Sequence, residues 1–89
     1  MLSIAFRTQF KKELKLQEKR GKDIQKFLDI SNKLANEEPL DPKHCNHKLS
    51  GNFKGRWECH IEPDWLLVYY KTKRDIVFER TGTHSDLFK

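Results

Sequence analysis

Apolar and polar residues change rhythm along this chain, and the changes mark its elements. Residues 1–6 alternate, with Leu2, Ile4 and Phe6 set against Ser3 and Ala5, which predicts a short strand. Thr8 stands where a helix cap belongs and opens a helix to about Arg20, with Phe10 and Leu14 on one face and lysines over much of the rest. Gly21 suits the left-handed position just past that helix. Asp23 then caps a second helix, whose apolar stripe is Ile24, Phe27, Leu28, Leu34 and Ala35. The two helices are expected to form a hairpin against a sheet.

From Glu37 to Gly51 the periodicity fades, and Pro39, Pro42 and Gly51 mark turns. Strands resume after it. Trp57, Cys59 and Ile61 alternate with Arg56, Glu58 and His60. Pro63 and Asp64 make a turn, Trp65 to Tyr70 forms the next strand, and Ile76 to Thr81 the last. The short links favour an antiparallel meander. The expected class is α+β: an N-terminal strand and a two-helix hairpin packed on a mainly antiparallel four-stranded sheet, one domain over residues 1–89.

Size changes the picture first. A chain of 89 residues cannot enclose a large cavity, so its site should be shallow and open, which suits a polymer. Charge points the same way. The formal net charge is +5, and residues 1–30 hold eight basic side chains against four acidic ones, a field that attracts a polyanion. A solvated helix face or a dock for an acidic partner is the plainer use of those lysines. The longest apolar run, Trp65 to Tyr70, is too short to span a membrane. The opening residues show no secretory signal, so the expected location is the cytoplasm, with Cys45 and Cys59 as free thiols.

All four histidines lie from the middle of the chain onward: His44, His47, His60 and His84. Histidine gives and takes protons near neutral pH. RNA carries its own nucleophile, the 2′-hydroxyl. Its cleavage needs a base, an acid and a cation at the phosphate, and no metal or cofactor. His60, Asp64, Arg80 and His84 stand at element ends where such groups are useful. Each has a structural use as well. His60 shares parity with Arg56 and Glu58 and faces away from Trp57 and Cys59; Asp64 can brace its own turn; Arg80 has the parity of apolar Ile76 and Phe78; His84 lies in a polar Gly-Thr-His-Ser stretch. Trp65 and Phe88 can stack on bases, although a Trp opening an apolar strand by default packs in the core. Zinc is the rival use of Cys45, His47, Cys59 and His60, but adjacent strand residues point to opposite faces. The residues alone leave an RNA-cleaving enzyme and a non-catalytic RNA- or protein-binding module open.

The stretch from Leu40 to Phe88 resembles the YafQ branch of the RelE-like bacterial toxins. The resemblance lies in His47-Lys48-Leu49 with Gly51 and Gly55, in His60-Ile61-Glu62-Pro63-Asp64-Trp65, in Phe78-Glu79-Arg80-Thr81-Gly82-Thr83-His84, and in Leu87-Phe88. It implies the RelE-like microbial RNase fold and an mRNA interferase that enters the ribosomal A site and cuts translated message, with lysine-codon preference. The family's catalytic groups fall on His47, His60, Asp64, Arg80 and His84. Its aromatic contributors fall on Trp65 and Phe88. His84 becomes the candidate acid, His60 or Asp64 the base, and Arg80 the phosphate holder. His47 is followed by Lys48 where the family commonly has proline, which sets a charge beside the RNA. The resemblance also implies that Lys11, Lys12, Lys15, Lys19 and Arg20 meet ribosomal RNA of the 70S ribosome. It implies a cognate antitoxin that neutralises the toxin and links the pair to operator DNA. His44 matches no family role.

Overall fold

The computed structural model describes residues 1–51 and 55–88. Strand β1 (Ser3–Phe6) leads into helix α1 (Thr8–Lys19) and helix α2 (Ile24–Ala35). A 3₁₀ turn at Pro42–His44 precedes β2 (His47–Lys48), β3 (Trp57–Glu62), β4 (Trp65–Lys71), β5 (Asp75–Gly82) and the single-turn helix α3 (His84–Leu87). The sheet has five strands in the order β1-β5-β4-β3-β2. β1 is parallel to β5, and the other pairings are antiparallel.

The α+β class and the strand–helix–helix–strands order match expectation. The strand count does not. His47 and Lys48 pair with Glu58 and Trp57 and add a fifth strand. Two residues are too few to show a two-residue rhythm, so this strand is invisible in the hydrophobic pattern. The first helix also differs in its cap. Arg7, not Thr8, is the N-cap, and no side chain caps that end.

Elsewhere the local signals do their expected physical work. Asp23 accepts from the backbone N–H of Gln25 and caps α2. Gly21 adopts φ +90°, which lets Lys22 N–H reach Gln17 O and Gly21 N–H reach Glu18 O, closing α1 and turning the chain. Both helices pack on one face of the sheet. Phe10, Phe27, Ile30, Leu34, Cys59, Trp65, Leu67, Tyr69, Ile76 and Phe78 form the core between them. The rings of Phe10, Phe27 and Phe78 meet at centroid distances of 5.2–5.7 Å. Leu28 was expected in the stripe of α2 but is exposed; Ile30 takes the buried place.

Candidate active site

Helices α1 and α2 leave the opposite face of the sheet open, and the chemistry collects there. Strand alternation decides which side chains reach it. Cys59 and Ile61 point to the helices, so Arg56, Glu58 and His60 point the other way. The pairing registers then align three rows across the open face. His47, Glu58, Val68 and Arg80 form the central row, and His60, Leu66 and Gly82 form the row nearest the Pro63–Asp64 turn. Leu66 and Val68 are buried there and make an apolar floor.

Arg80 reaches this face through a backbone irregularity. Tyr69 pairs with Phe78 and Val68 with Arg80, so Glu79 is an extra residue, a β-bulge. The bulge reverses the parity of Arg80, which sequence alternation had placed with Ile76 and Phe78. Its guanidinium is held by Glu13 of α1: Arg80 Nε donates to both Glu13 oxygens at 2.9 Å, and Nη2 donates at 2.7 Å. Glu13 also accepts from the backbone N–H of Thr81 at 3.1 Å. Helix α1 thus fixes the arginine on the rim of the face.

His84 arrives by a different route. Gly82 lets α3 fold back over the end of β5, because a Cβ there would stand 2.9 Å from the Cβ of Asp86. Thr83 and Asp86 form a reciprocal capping box: Asp86 N–H donates to Thr83 Oγ1 at 3.1 Å, and Thr83 N–H to Asp86 Oδ2 at 2.9 Å. Arg20 Nη1 donates to Asp86 Oδ2 at 2.7 Å and ties α3 to the end of α1. These bonds hold the Asp86 carboxyl far below the usual carboxylate range, Arg20 contributing most.

Asp64 Oδ1 accepts from the backbone N–H of His84 at 2.9 Å and lies 2.6 Å from His84 Nδ1. The two contacts lower the Asp64 pKa, the backbone N–H first. An ionised Asp64 only accepts, so Nδ1 carries the hydrogen and Nε2 is the ring nitrogen left for chemistry. The rings of His60 and His84 stand nearly perpendicular, at 81°, with centroids 5.6 Å apart.

Two residues around this pair were not legible as site residues. Glu58 is buried, and its Oε1 lies 3.5 Å from His47 Nε2 and 3.7 Å from His60 Nε2. It sits between the two imidazoles on the open face. His44 donates from Nδ1 to the carbonyl of His60 at 2.6 Å, bracing the backbone beside the irregular pairing between His60 and Glu62. Glu58 had the parity of His60, which was a usable signal. His44 had none. The Thr83-x-x-Asp86 spacing was the signal for the cap that carries His84.

Several expected residues lie elsewhere. Trp65 is fully buried on the helix face, and its indole N–H donates to Thr81 Oγ1 at 2.9 Å. It cannot stack on a base, because its place opening an apolar strand makes it core. The Lys48 ammonium sits 5.5 Å from the Trp57 ring centroid, on the side of β2 away from His47. The charge expected beside the RNA at Lys48 therefore projects from the other side of the strand than His47. Arg20 is paired with Asp86 and remains exposed at the end of α1. Lys11, Lys12, Lys15 and Lys19 remain exposed along α1, and Phe88 is exposed just after α3. The zinc set is not assembled. Cys59 lies in the core, where burial pushes its thiol up to about 12, while His60 faces the other way. Among the described residues no helix is long and apolar enough to cross a membrane.

Residues 2–89 match the family model described as the bacterial toxin of type II toxin–antitoxin system, YafQ. The chain is 42% identical over 86 residues to the mRNA interferase toxin YafQ of Escherichia coli strain K12, covering 96% of this chain and 94% of that one. Its fold is similar to YafQ in the crystal structure of the E. coli DinJ–YafQ complex, with TM-score 0.92, 40% identity and full coverage of both chains. It is also similar to a metal-bound toxin from Helicobacter pylori, with TM-score 0.94 and 41% identity over 99% of this chain and 100% of that one.

Proposed function

The chain belongs to the YafQ family of bacterial toxins of type II toxin–antitoxin systems, and from that premise we propose that it is a metal-independent endoribonuclease, an mRNA interferase. The observation that carries the reading is the His60–His84 pair. Two imidazoles with centroids 5.6 Å apart, one clamped by a carboxylate, can serve two oxygens of a single phosphate.

The 2′-hydroxyl oxygen attacks the adjacent phosphorus as His60 removes its proton. The P–O5′ bond breaks, and His84 delivers the proton on Nε2 to the leaving oxygen. The products are a 2′,3′-cyclic phosphate and a free 5′-hydroxyl. Asp64 stabilises the His84 imidazolium through Nδ1 and keeps Nε2 facing the substrate. With Asp64 bonded to His84, His60 is the better base. Arg80 offsets charge on the phosphate, and Glu13 fixes its direction. Glu58 orients His47 and His60, and Phe88 flanks the scissile region beside α3.

The substrate is translated message in the ribosomal A site, with lysine codons preferred. Lys11, Lys12, Lys15 and Lys19 face ribosomal RNA, and a cognate antitoxin covers the toxin, in keeping with the DinJ complex of the E. coli relative. That antitoxin, not this chain, reads operator DNA. The setting is the cytoplasm.

Primer extension on a message tests this, with and without translating ribosomes, using wild type and His84→Ala. Frame-registered cuts that need ribosomes and vanish in the variant support the reading. Equal cutting of naked RNA removes the ribosome requirement, and unchanged cutting by His84→Ala removes the acid assignment.

A further inference from the structure

A third row of the open face takes no part in the proton chemistry. Arg56 lies opposite Tyr70, one step outside the Trp57–Tyr69 pair, and Tyr70 pairs with Val77. Arg7 donates its backbone N–H to Phe78 O and so continues the parity of Ala5, the partner of Val77. Arg56, Tyr70, Val77 and Ala5 thus line up across the sheet, and Arg7 stands two residues beyond Ala5 on the same face.

The row is built rather than incidental. Arg7 Nη2 donates to the Tyr70 hydroxyl at 3.0 Å, and its guanidinium carbon lies 5.9 Å from the ring centroid. The guanidinium carbon of Arg56 lies 5.1 Å from the same centroid. Glu79, the bulge residue that turns Arg80 toward the site, accepts from Arg56 Nε at 2.6 Å and from Nη2 at 3.5 Å. One irregularity in β5 thus sets both arginines. Tyr70 and Arg56 are half-buried and Arg7 is exposed, so the row reaches solvent. The row holds two cations against one carboxylate and is net positive.

Guanidinium and phenol planes stack on unpaired bases, and guanidinium also binds phosphate. The row lies two residues along the strands from Glu58 and Val68, or about 7 Å. A single strand of RNA with its phosphate at Arg80 would reach it with the flanking nucleotide. We infer that Arg7, Tyr70 and Arg56 form a second RNA subsite, in which an unpaired base beside the cleaved bond stacks on this platform and its phosphate meets the arginines. The inference rests on the RNA-cleaving reading. The subsite contributes to substrate binding and leaves the chemical step alone.

The test pairs two measurements on the full chain. Affinity for a single-stranded oligoadenylate is measured by fluorescence anisotropy in a His84→Ala background, with and without Tyr70→Ala. Cleavage of a translated message is measured for wild type, Tyr70→Ala, Tyr70→Phe and Arg7→Ala, with melting temperature as the folding control. Tyr70→Ala should weaken RNA binding about tenfold, the order expected for a lost base stack. It should raise KM by a similar factor with kcat within about twofold, an expectation that follows from lost ground-state binding. Tyr70→Phe keeps the ring and should retain more affinity than Tyr70→Ala. A folded Tyr70→Ala protein with wild-type affinity and KM overturns the subsite while leaving the nuclease reading intact. Intact RNA binding with weakened binding to a co-expressed antitoxin overturns it in favour of a protein dock. RNA binding by a wild-type protein that cuts nothing, lost in Tyr70→Ala, supports the subsite and removes the nuclease reading.

Discussion

His84 Nδ1 lies 2.6 Å from Asp64 Oδ1, and the His84 backbone N–H donates to the same oxygen at 2.9 Å. One carboxylate oxygen therefore fixes both the ring and the turn that carries it. His84→Ala should cut message cleavage by about 10²–10⁴-fold, the usual worth of a proton-transfer group. The side chain is exposed, so the melting temperature should hardly move. Asp64→Asn should lower kcat more than it raises KM. The Asp64 pKa is depressed, so the carboxylate stays ionised from about pH 5 to 8. A kcat profile over that range should show no inflection assignable to it. An acid-limb inflection that disappears in Asp64→Asn would contradict the assignment.

Arg20 and Asp86 make the second prediction. Removing either should release α3 and lower activity without touching the reacting groups. Loss of the capping box in Asp86→Ala should cost about 1 kcal/mol. The pH dependence follows from the depressed carboxyl. Its contribution is fully present above the unfolded Asp value, about 4, and is lost as pH falls through the lower folded value. The stability gap between wild type and Asp86→Ala should therefore narrow below about pH 4, as read by denaturant titration at several pH values. A gap that widens there would show that the ion pair is not its source.

Glu13 holds Arg80 by three hydrogen bonds and satisfies the Thr81 N–H on the part of β5 beyond its pairing with β1. Glu13→Ala should reduce kcat/KM about tenfold, since the phosphate-binding cation loses its direction. Kinetics on a translated message decide between support and restraint. A more active variant would mean that Glu13 withholds Arg80 instead of positioning it.

Trp65 tests the separation of core from site. Trp65→Phe removes the 2.9 Å bond to Thr81 Oγ1 and some buried volume. About 1–3 kcal/mol of stability should be lost, while activity per folded molecule is retained. Thermal melts and active-site-normalised rates report the two separately. A large kcat loss in a protein of unchanged stability would return Trp65 to the site.

The cysteines should differ in reactivity. Cys45 is exposed, whereas Cys59 is buried with its thiol pushed up to about 12. A thiol reagent at neutral pH should label one cysteine quickly and the second only on unfolding. Two fast-reacting thiols would place Cys59 outside the core.

What the sequence by itself determined was local and periodic. Alternation through Trp57, Cys59 and Ile61 put Glu58 and His60 on one face, because a strand points successive side chains to opposite sides. Asp23 and Gly21 marked helix ends for reasons confined to one turn of backbone. The motif resemblance singled out His47, His60, Asp64, Arg80 and His84, but not how they meet. The tertiary structure decided that. The parity of Arg80 rests on a bulge at Glu79, which exists only through pairing with β4. Asp64 and His84 are 20 residues apart, and Arg20 and Asp86 are 66 apart; no local rhythm encodes such contacts. Lysine-rich α1 read as one basic face, yet Arg20 at its end is turned to Asp86 and Glu13 to Arg80. Trp65, offered by sequence as either stacking ring or core, is core because the sheet buries the face on which it lies.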